Sequence, residues 1–447
     1  MIKIAYFCRG KSLVLFLVAL VALSVASCTG QKCTYCNDEL QGNVQQNIAA
    51  KFDTSVHFSI YIPAGTGDTK LPLLVLFDAH GKTAPVLKMY KPLADRYHVV
   101  MAGFDPSANE VPFEKIQKNF KPWLEELSSI APVDTSMMFL AGFSGGARVV
   151  SMFENMLPQV KATALCGAGP ANPQVWMQSK RSCMAFCGSG DFNYLELLNV
   201  QAQSRKSKYL PVTVFSGKHE WPPVDVFGDF FCLINRLAAG STSNATAEKE
   251  ILDRCRNMTV SGRPDMAMAS AGAGIYALGQ NNANSLVQFS DSLGKAIPAS
   301  FIEEYDAAMM NEVVLQGKIR TMFQLADTVH FAAFLDSLQN NKIVDTLSLG
   351  YDLSRRLKAY CGIVAYSFSS QAFKAKTAQL FSQLRMYQMV EPDNNEMLFL
   401  FAAFYAGKKD CVQAQAFLYK AKQNGFSDKS RYNNTHEFDG CRSGLEF

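Results

Sequence analysis

At 447 residues, 48% of them hydrophobic and 18% charged, the chain is long enough to bury two globular cores. Its formal net charge of +4 falls to about +1 once residues 1–27, which carry Lys3, Arg9 and Lys11, are set aside. That near-neutral balance gives no basic footprint for nucleic acid, and no apolar run beyond the leader is long enough to cross a bilayer.

The leader has the three parts of a secretory signal: a basic start, an apolar run over 13–23, and the small residues Val25, Ala26 and Ser27 before Cys28. The Val-Ala-Ser-Cys ending resembles a bacterial lipobox. That resemblance implies cleavage ahead of Cys28, lipidation of its thiol, and a protein held on a membrane of the bacterial cell envelope without spanning it, facing periplasm or cell surface. Residues 28–44 then read as a tether. Cys33 and Cys36 are spaced for a local or tethering disulfide in an oxidising compartment, and no second such pair exists to complete a zinc site. Cys183 and Cys187 fall four residues apart in a strand, too far to bridge, and read as small apolar residues of the sheet.

From about residue 45 to 240, short apolar runs alternate with helix-length amphipathic stretches. Residues 56–62 alternate and end at Pro63, as a half-buried antiparallel strand does. Residues 71–77 are almost continuously apolar, the mark of a strand covered on both faces. Helix over 85–97, strand 99–104, helix 113–130 and strand 137–141 follow. Strands at 162–166, 182–187 and 210–215 and a helix at 224–237 complete the pattern. Strands separated by helices of this length predict an α/β architecture with a mostly parallel sheet.

The strand at 137–141 runs directly into Gly142, Phe143, Ser144, Gly145 and Gly146, and a helical segment starts at once. A G-x-S-x-G turn between strand and helix puts its serine on a tight bend, clear of the sheet, with the helix N-terminus behind it. Two later residues complete the pattern. Asp191 follows the end of one strand and His219 the end of the next, so all three sit where ligands bind in open α/β sheets. Among the six histidines only His219 occupies such a place. Asp225 is the fallback acid. The loop of Asp78, Ala79, His80 and Gly81 follows an earlier strand, where a second oxyanion donor would sit beside the Gly145 N–H.

The chain order Ser144, Asp191, His219, the Asp78–Gly81 loop and the stretch from His219 through Trp221 to Pro223 resemble the α/β-hydrolase superfamily. The similarity is greatest to compact exported serine hydrolases of the polyhydroxybutyrate-depolymerase, feruloyl-esterase and dienelactone-hydrolase kind. The resemblance implies a Ser-His-Asp esterase that uses no metal or organic cofactor. Only some fifteen residues separate the strands at 162–166 and 182–187, so no large lid is expected, and the cleft should be open to a small or polymeric ester. Trp176 and Trp221 are candidates to line it.

Residues 241–263 read as a linker, opening on Gly240, Ser241, Thr242, Ser243 and Asn244. Beyond them strands disappear, and 264–447 read as an all-helical domain. In one window Leu398, Phe401, Ala402, Tyr405, Ala414, Leu418 and Ala421 resemble the signature of a tetratricopeptide repeat, which implies a stacked helical-repeat region. Such a region either binds a protein partner or supports the hydrolase half. Two alternatives remain: a peptidase of the prolyl-oligopeptidase kind, and a non-catalytic interaction lipoprotein that uses the repeats.

Overall fold

The computed structural model describes residues 40–109, 111–240, 244–340 and 345–444. The leader, Cys28, Cys33 and Cys36 lie outside the described residues.

Eight strands form one sheet: β1 (Gln45–Ala49), β2 (His57–Tyr61), β3 (Leu71–Asp78), β4 (Val100–Phe104), β5 (Val133–Phe143), β6 (Val160–Cys166), β7 (Ser182–Gly188) and β8 (Val212–Phe215). Their spatial order is β1-β2-β4-β3-β5-β6-β7-β8. β2 pairs antiparallel with both β1 and β4, and every other pairing is parallel. Helices α1 (Ala84–Tyr97), α2 (Phe113–Ile130), α3 (Gly145–Met156), the short α4 (Pro173–Trp176), α5 (Tyr194–Ser204) and α6 (Val224–Ala239) connect the strands. This is the mostly parallel α/β architecture that the alternation predicted, with the strand order and the lone antiparallel β2 of the α/β-hydrolase fold that the resemblance implied.

The apolar continuity of β3 has the expected cause. Leu74 and Leu76 join one core with Tyr90, Phe139, Phe227 and Phe231, whereas Leu73, Val75 and Phe77 join the other with Phe120, Trp123 and Phe153. Successive side chains point to opposite faces, and each face is covered by helices. β1 went unread because Gln45, Gln46 and Asn47 give an exposed edge strand no apolar alternation.

The expected linker at 241–263 is for the most part a helix, α7 (Ala245–Val260). The polar cluster is only its entry: Asn244 Oδ1 accepts from the Ala247 N–H at 3.0 Å and caps it. Ile251, Leu252 and Cys255 then turn one apolar face to the sheet side. α8 (Pro264–Leu278) and α9 (Asn284–Ala296) follow it into the same core, with Ala267, Ala271, Leu286 and Leu293 buried with the residues of the sheet and its helices. The expected unit 264–447 is thus divided, its first helices belonging to the core of the sheet.

The remainder has its own core. It comprises α10 (Ala299–Leu325), α11 (Thr328–Asn340), α12 (Leu349–Ala375), α13 (Leu380–Val390), α14 (Asn395–Gly407), α15 (Cys411–Gln423) and α16 (Lys429–Asn434). α14 and α15 form a helical hairpin in which Leu398, Phe401, Ala402, Ala414, Leu418 and Ala421 are buried and Tyr405 half-buried. Asp410 Oδ1 accepts from the Gln413 N–H at 3.1 Å and starts the second helix. The C-terminal stretch caps this bundle: Phe438 is buried 5.7 Å from the Phe399 ring, and a Cys411–Cys441 disulfide ties it down. Cys183 and Cys187 are buried thiols of β7, as expected. Among the described residues no helix is long and apolar enough to cross a membrane.

Candidate active site

The Ser144 turn lies between β5 and α3. Ser144 takes φ 55° and ψ −117°, a left-handed conformation that costs a non-glycine residue about 1–3 kcal/mol. The surroundings enforce it: the Ser144 N–H donates to the Cys166 carbonyl at 2.8 Å. A Cβ on Gly146 would run into the Phe77 carbonyl, and one on Gly142 into the Gly146 carbonyl, so strand and helix can pass this closely only with glycine at both places. Gly145 opens α3, where first-turn N–H groups have no intrahelical partner.

The loops after β7 and β8 bring Asp191 and His219 to the same place. His219 Nε2 is 3.0 Å from Ser144 Oγ, and its Nδ1 is 3.0 and 2.9 Å from the two carboxylate oxygens of Asp191. Asp191 is fully buried, and its Oδ1 also accepts from the Asn193 N–H at 2.8 Å. The imidazole is held between the rings of Phe192 and Phe143, at 4.3 and 4.7 Å between centroids. Behind the acid, burial and then the charge of Asp191 push the Cys187 thiol well above its usual range, so it stays protonated. The fallback acid, Asp225, sits instead at the start of α6, where its carbonyl accepts from Arg254 at 2.5 Å.

The structure separates the three loop candidates for the second oxyanion donor. The His80 N–H donates to Asp78 Oδ1 at 2.8 Å and the Gly81 N–H to the Asp78 carbonyl at 3.0 Å, so both are spent on a tight turn. The Ala79 N–H donates to neither acceptor of Asp78 among the described residues, and the Ala79 carbonyl accepts from the Asn109 N–H at 3.0 Å. The His80 ring projects to solvent.

Neither tryptophan is where an open cleft would want it. Trp176 is 1% exposed beneath Lys208, and its Nε1 donates to the buried Glu154 at 3.0 Å. Trp221 is half-buried, packed on Phe143 and Tyr90, and its Nε1 donates to Asp78 Oδ2 at 2.9 Å. Trp221 therefore ties the histidine loop to the Ala79 loop. In both cases the indole N–H finds a buried acid, which fixes the ring in the fold.

What sequence reasoning missed is the contribution of distant chain. No lid is inserted before β7, yet α12 overhangs the rim at the ends of β7 and β8. Ser189 Oγ donates to Asp352 at 2.9 Å, and Arg356 donates to the Ser189 carbonyl at 2.7 Å. Arg355 donates to the Gly217 carbonyl at 3.2 Å and lies across Gly190. Asp352 also takes Arg263 at 2.5 Å, and Arg356 is gripped by both oxygens of Glu312 at 2.7 to 3.0 Å. These contacts fall one or two residues before Asp191 and His219. The available signal was a pair of adjacent arginines with an acid one turn before them on one long helix.

No protein-family profile matches this chain, and no curated protein is similar to it. Among solved structures, an S-formylglutathione hydrolase from Staphylococcus aureus aligns at 12% identity over 44% of this chain and 96% of its own, with TM-score 0.32. A fungal esterase from Rhizomucor miehei aligns at 12% identity over 59% and 93%, with TM-score 0.33. A feruloyl esterase module from Clostridium thermocellum aligns at 14% identity over 42% and 86%, with TM-score 0.33.

Proposed function

We propose that this chain is a serine hydrolase of carboxylic esters that works through an acyl-enzyme. The observation that carries this reading is the unbroken relay from Ser144 Oγ through both nitrogens of His219 to the buried Asp191. His219 Nε2 takes the Ser144 proton as Oγ attacks the ester carbonyl, and Asp191 holds the Nδ1–H tautomer and the imidazolium that forms. The oxyanion is received by the N–H groups of Gly145 and Ala79, each worth about 3–4 kcal/mol in the transition state. Collapse of the tetrahedral adduct expels the alcohol, which takes its proton from Nε2. Water, deprotonated by His219, then releases the acid. No step calls on a metal or organic cofactor.

In this reading the helices from α10 onward support the hydrolase rim, in agreement with the hydrogen bonds that α12 makes to it. The leader and Cys28 would hold the enzyme by lipid on a membrane of the bacterial cell envelope, facing periplasm or cell surface. The test is hydrolysis of short 4-nitrophenyl and methyl esters beside a matched peptide panel. Wild-type turnover of esters that is lost in Ser144→Ala supports the assignment. Turnover of peptides alone would move it to a peptidase, and turnover unchanged in Ser144→Ala would remove Ser144 from the chemistry.

A further inference from the structure

The space beside His219 is a cleft of about 760 Å³ with two different owners. One wall is the rim of the sheet, with Lys218 and His219. The other is a face of α12 from Arg355 to Tyr366, continued by Glu391 just after α13 and Glu396 in the first turn of α14. A lidless hydrolase would leave this side open, and the helical half closes it.

The charges along the cleft are not evenly spread. Arg355 and Lys358, one turn apart on α12, and Lys218, next to His219, bring three cations to the end that holds His219. Lys218 and Lys358 are exposed and form no ion pair among the described residues. Arg355 stands 3.9 Å from Asp352, but that carboxylate is already held by Arg263 at 2.5 Å and Ser189 at 2.9 Å. Glu220 turns one oxygen back onto the Lys218 N–H at 2.9 Å. At the far end Glu396 is paired with Arg431 at 2.5 and 2.7 Å, whereas Glu391 accepts only from Asn394, at 2.6 Å. The cleft thus runs from cationic beside the relay to acidic away from it.

We propose that the cationic end binds a free carboxylate carried by the substrate close to the scissile ester. The preferred class is a half-ester of a dicarboxylic acid, or an ester of comparable length with a single free carboxylate. A guanidinium held in place by the Gly217 carbonyl presents its remaining N–H groups to such a group, and the two lysines add charge without a partner to lose. The acidic far end disfavours a polyanion, which would have to lay further negative charge against Glu391.

This proposal rests on the reading of Ser144 as nucleophile, and the experiment separates the two. Kinetics of 4-nitrophenyl hydrogen succinate and its neutral methyl ester are compared in wild type, Lys358→Gln and Lys218→Gln. The expected result is a kcat/KM ratio favouring the free acid by about tenfold or more in wild type, and a ratio reduced about 3- to 10-fold in each lysine variant. Measurable and equal turnover of the two esters by wild type, or a ratio that neither variant alters, would overturn the proposal. A calorimetric titration of monomethyl succinate into Ser144→Ala protein reads the subsite with no turnover at all. Binding that weakens in Ser144→Ala/Lys358→Gln supports it even if wild type hydrolyses neither ester, a result that would count against the nucleophile alone. Absence of binding in that titration overturns it.

Discussion

The helical chain meets the sheet in two places, and they are built from opposite materials. On the face covered by α7, α8 and α9 the contact is apolar, made by Ile251, Ala267, Ala271 and Leu286 in one core with Phe227 and Phe231. At the rim α12 arrives with Asp352, Arg355 and Arg356, which meet a serine hydroxyl and backbone carbonyls, while Glu312 of α10 holds Arg356. Apolar burial supplies free energy but little direction, so the face can tolerate small shifts. Buried charges with assigned partners permit a single arrangement, and leaving one unpaired is costly. The chain uses the first kind of contact where it needs adhesion. It uses the second beside the loops that hold Asp191 and His219, where a displacement of an ångström would part His219 from Ser144 and Asp191.

The sharpest break of this contrast is chemical. Asp191→Asn keeps the buried shape but removes the acceptor that selects the histidine tautomer. We expect kcat to fall about 10³- to 10⁴-fold on a reactive ester with little change in Tm, measured side by side on the same preparations.

Next in size is Arg356→Met, which strands Glu312 and the Ser189 carbonyl together. A loss of about 3–5 kcal/mol is expected from denaturant unfolding, with kcat reduced as well. Its pH dependence has a defined sign. Burial raises the carboxyl of Glu312 above its usual range, and Arg356 is the main influence holding it down. Without Arg356 the folded-state value rises further, so the fold is favoured where Glu312 is protonated and loses stability as pH climbs through that value. The deficit relative to wild type should therefore be smallest near pH 5 and largest near pH 8, read as Tm across about that range.

Leu286→Ala tests the other contact. It should cost about 2–4 kcal/mol through the cavity left in the apolar face, with kcat/KM of the surviving folded protein unchanged. A fall in kcat/KM comparable to that of Arg356→Met would erase the distinction between face and rim.

Smallest is Trp221→Phe, which removes the Nε1 hydrogen bond to Asp78. About 1 kcal/mol of stability is expected to go, with a few-fold loss of kcat as the loop bearing Ala79 loosens. Urea unfolding and ester kinetics check the two halves of that statement.

Much of this was legible in the residues because it follows from periods and punctuation. The near-continuous apolar run at 71–77 read as a buried strand, and the glycines around Ser144 read as a turn with no room for side chains. Asp191 and His219 were found from their position after strand ends. The exposed strand at Gln45–Ala49 was not, because an edge strand with polar side chains carries no alternation. The linker reading over 241–263 failed because the polar composition that ends at the N-cap Asn244 was extended over a helix whose apolar face points into the core of a preceding segment. His80 and Gly81 were indistinguishable from Ala79 as donors until Asp78 was seen to occupy both N–H groups. The rim contacts of Asp352, Arg355 and Arg356 lie more than a hundred residues from the loops they hold, and no local pattern carries such a pairing.

The most direct measurement is intact-mass analysis of the folded protein after exposure to a fluorophosphonate, with the site located by peptide mapping. The account predicts a single adduct on Ser144, absent in Ser144→Ala and strongly slowed in His219→Ala. Folded wild-type protein that takes no adduct, or takes it on another residue, would contradict it.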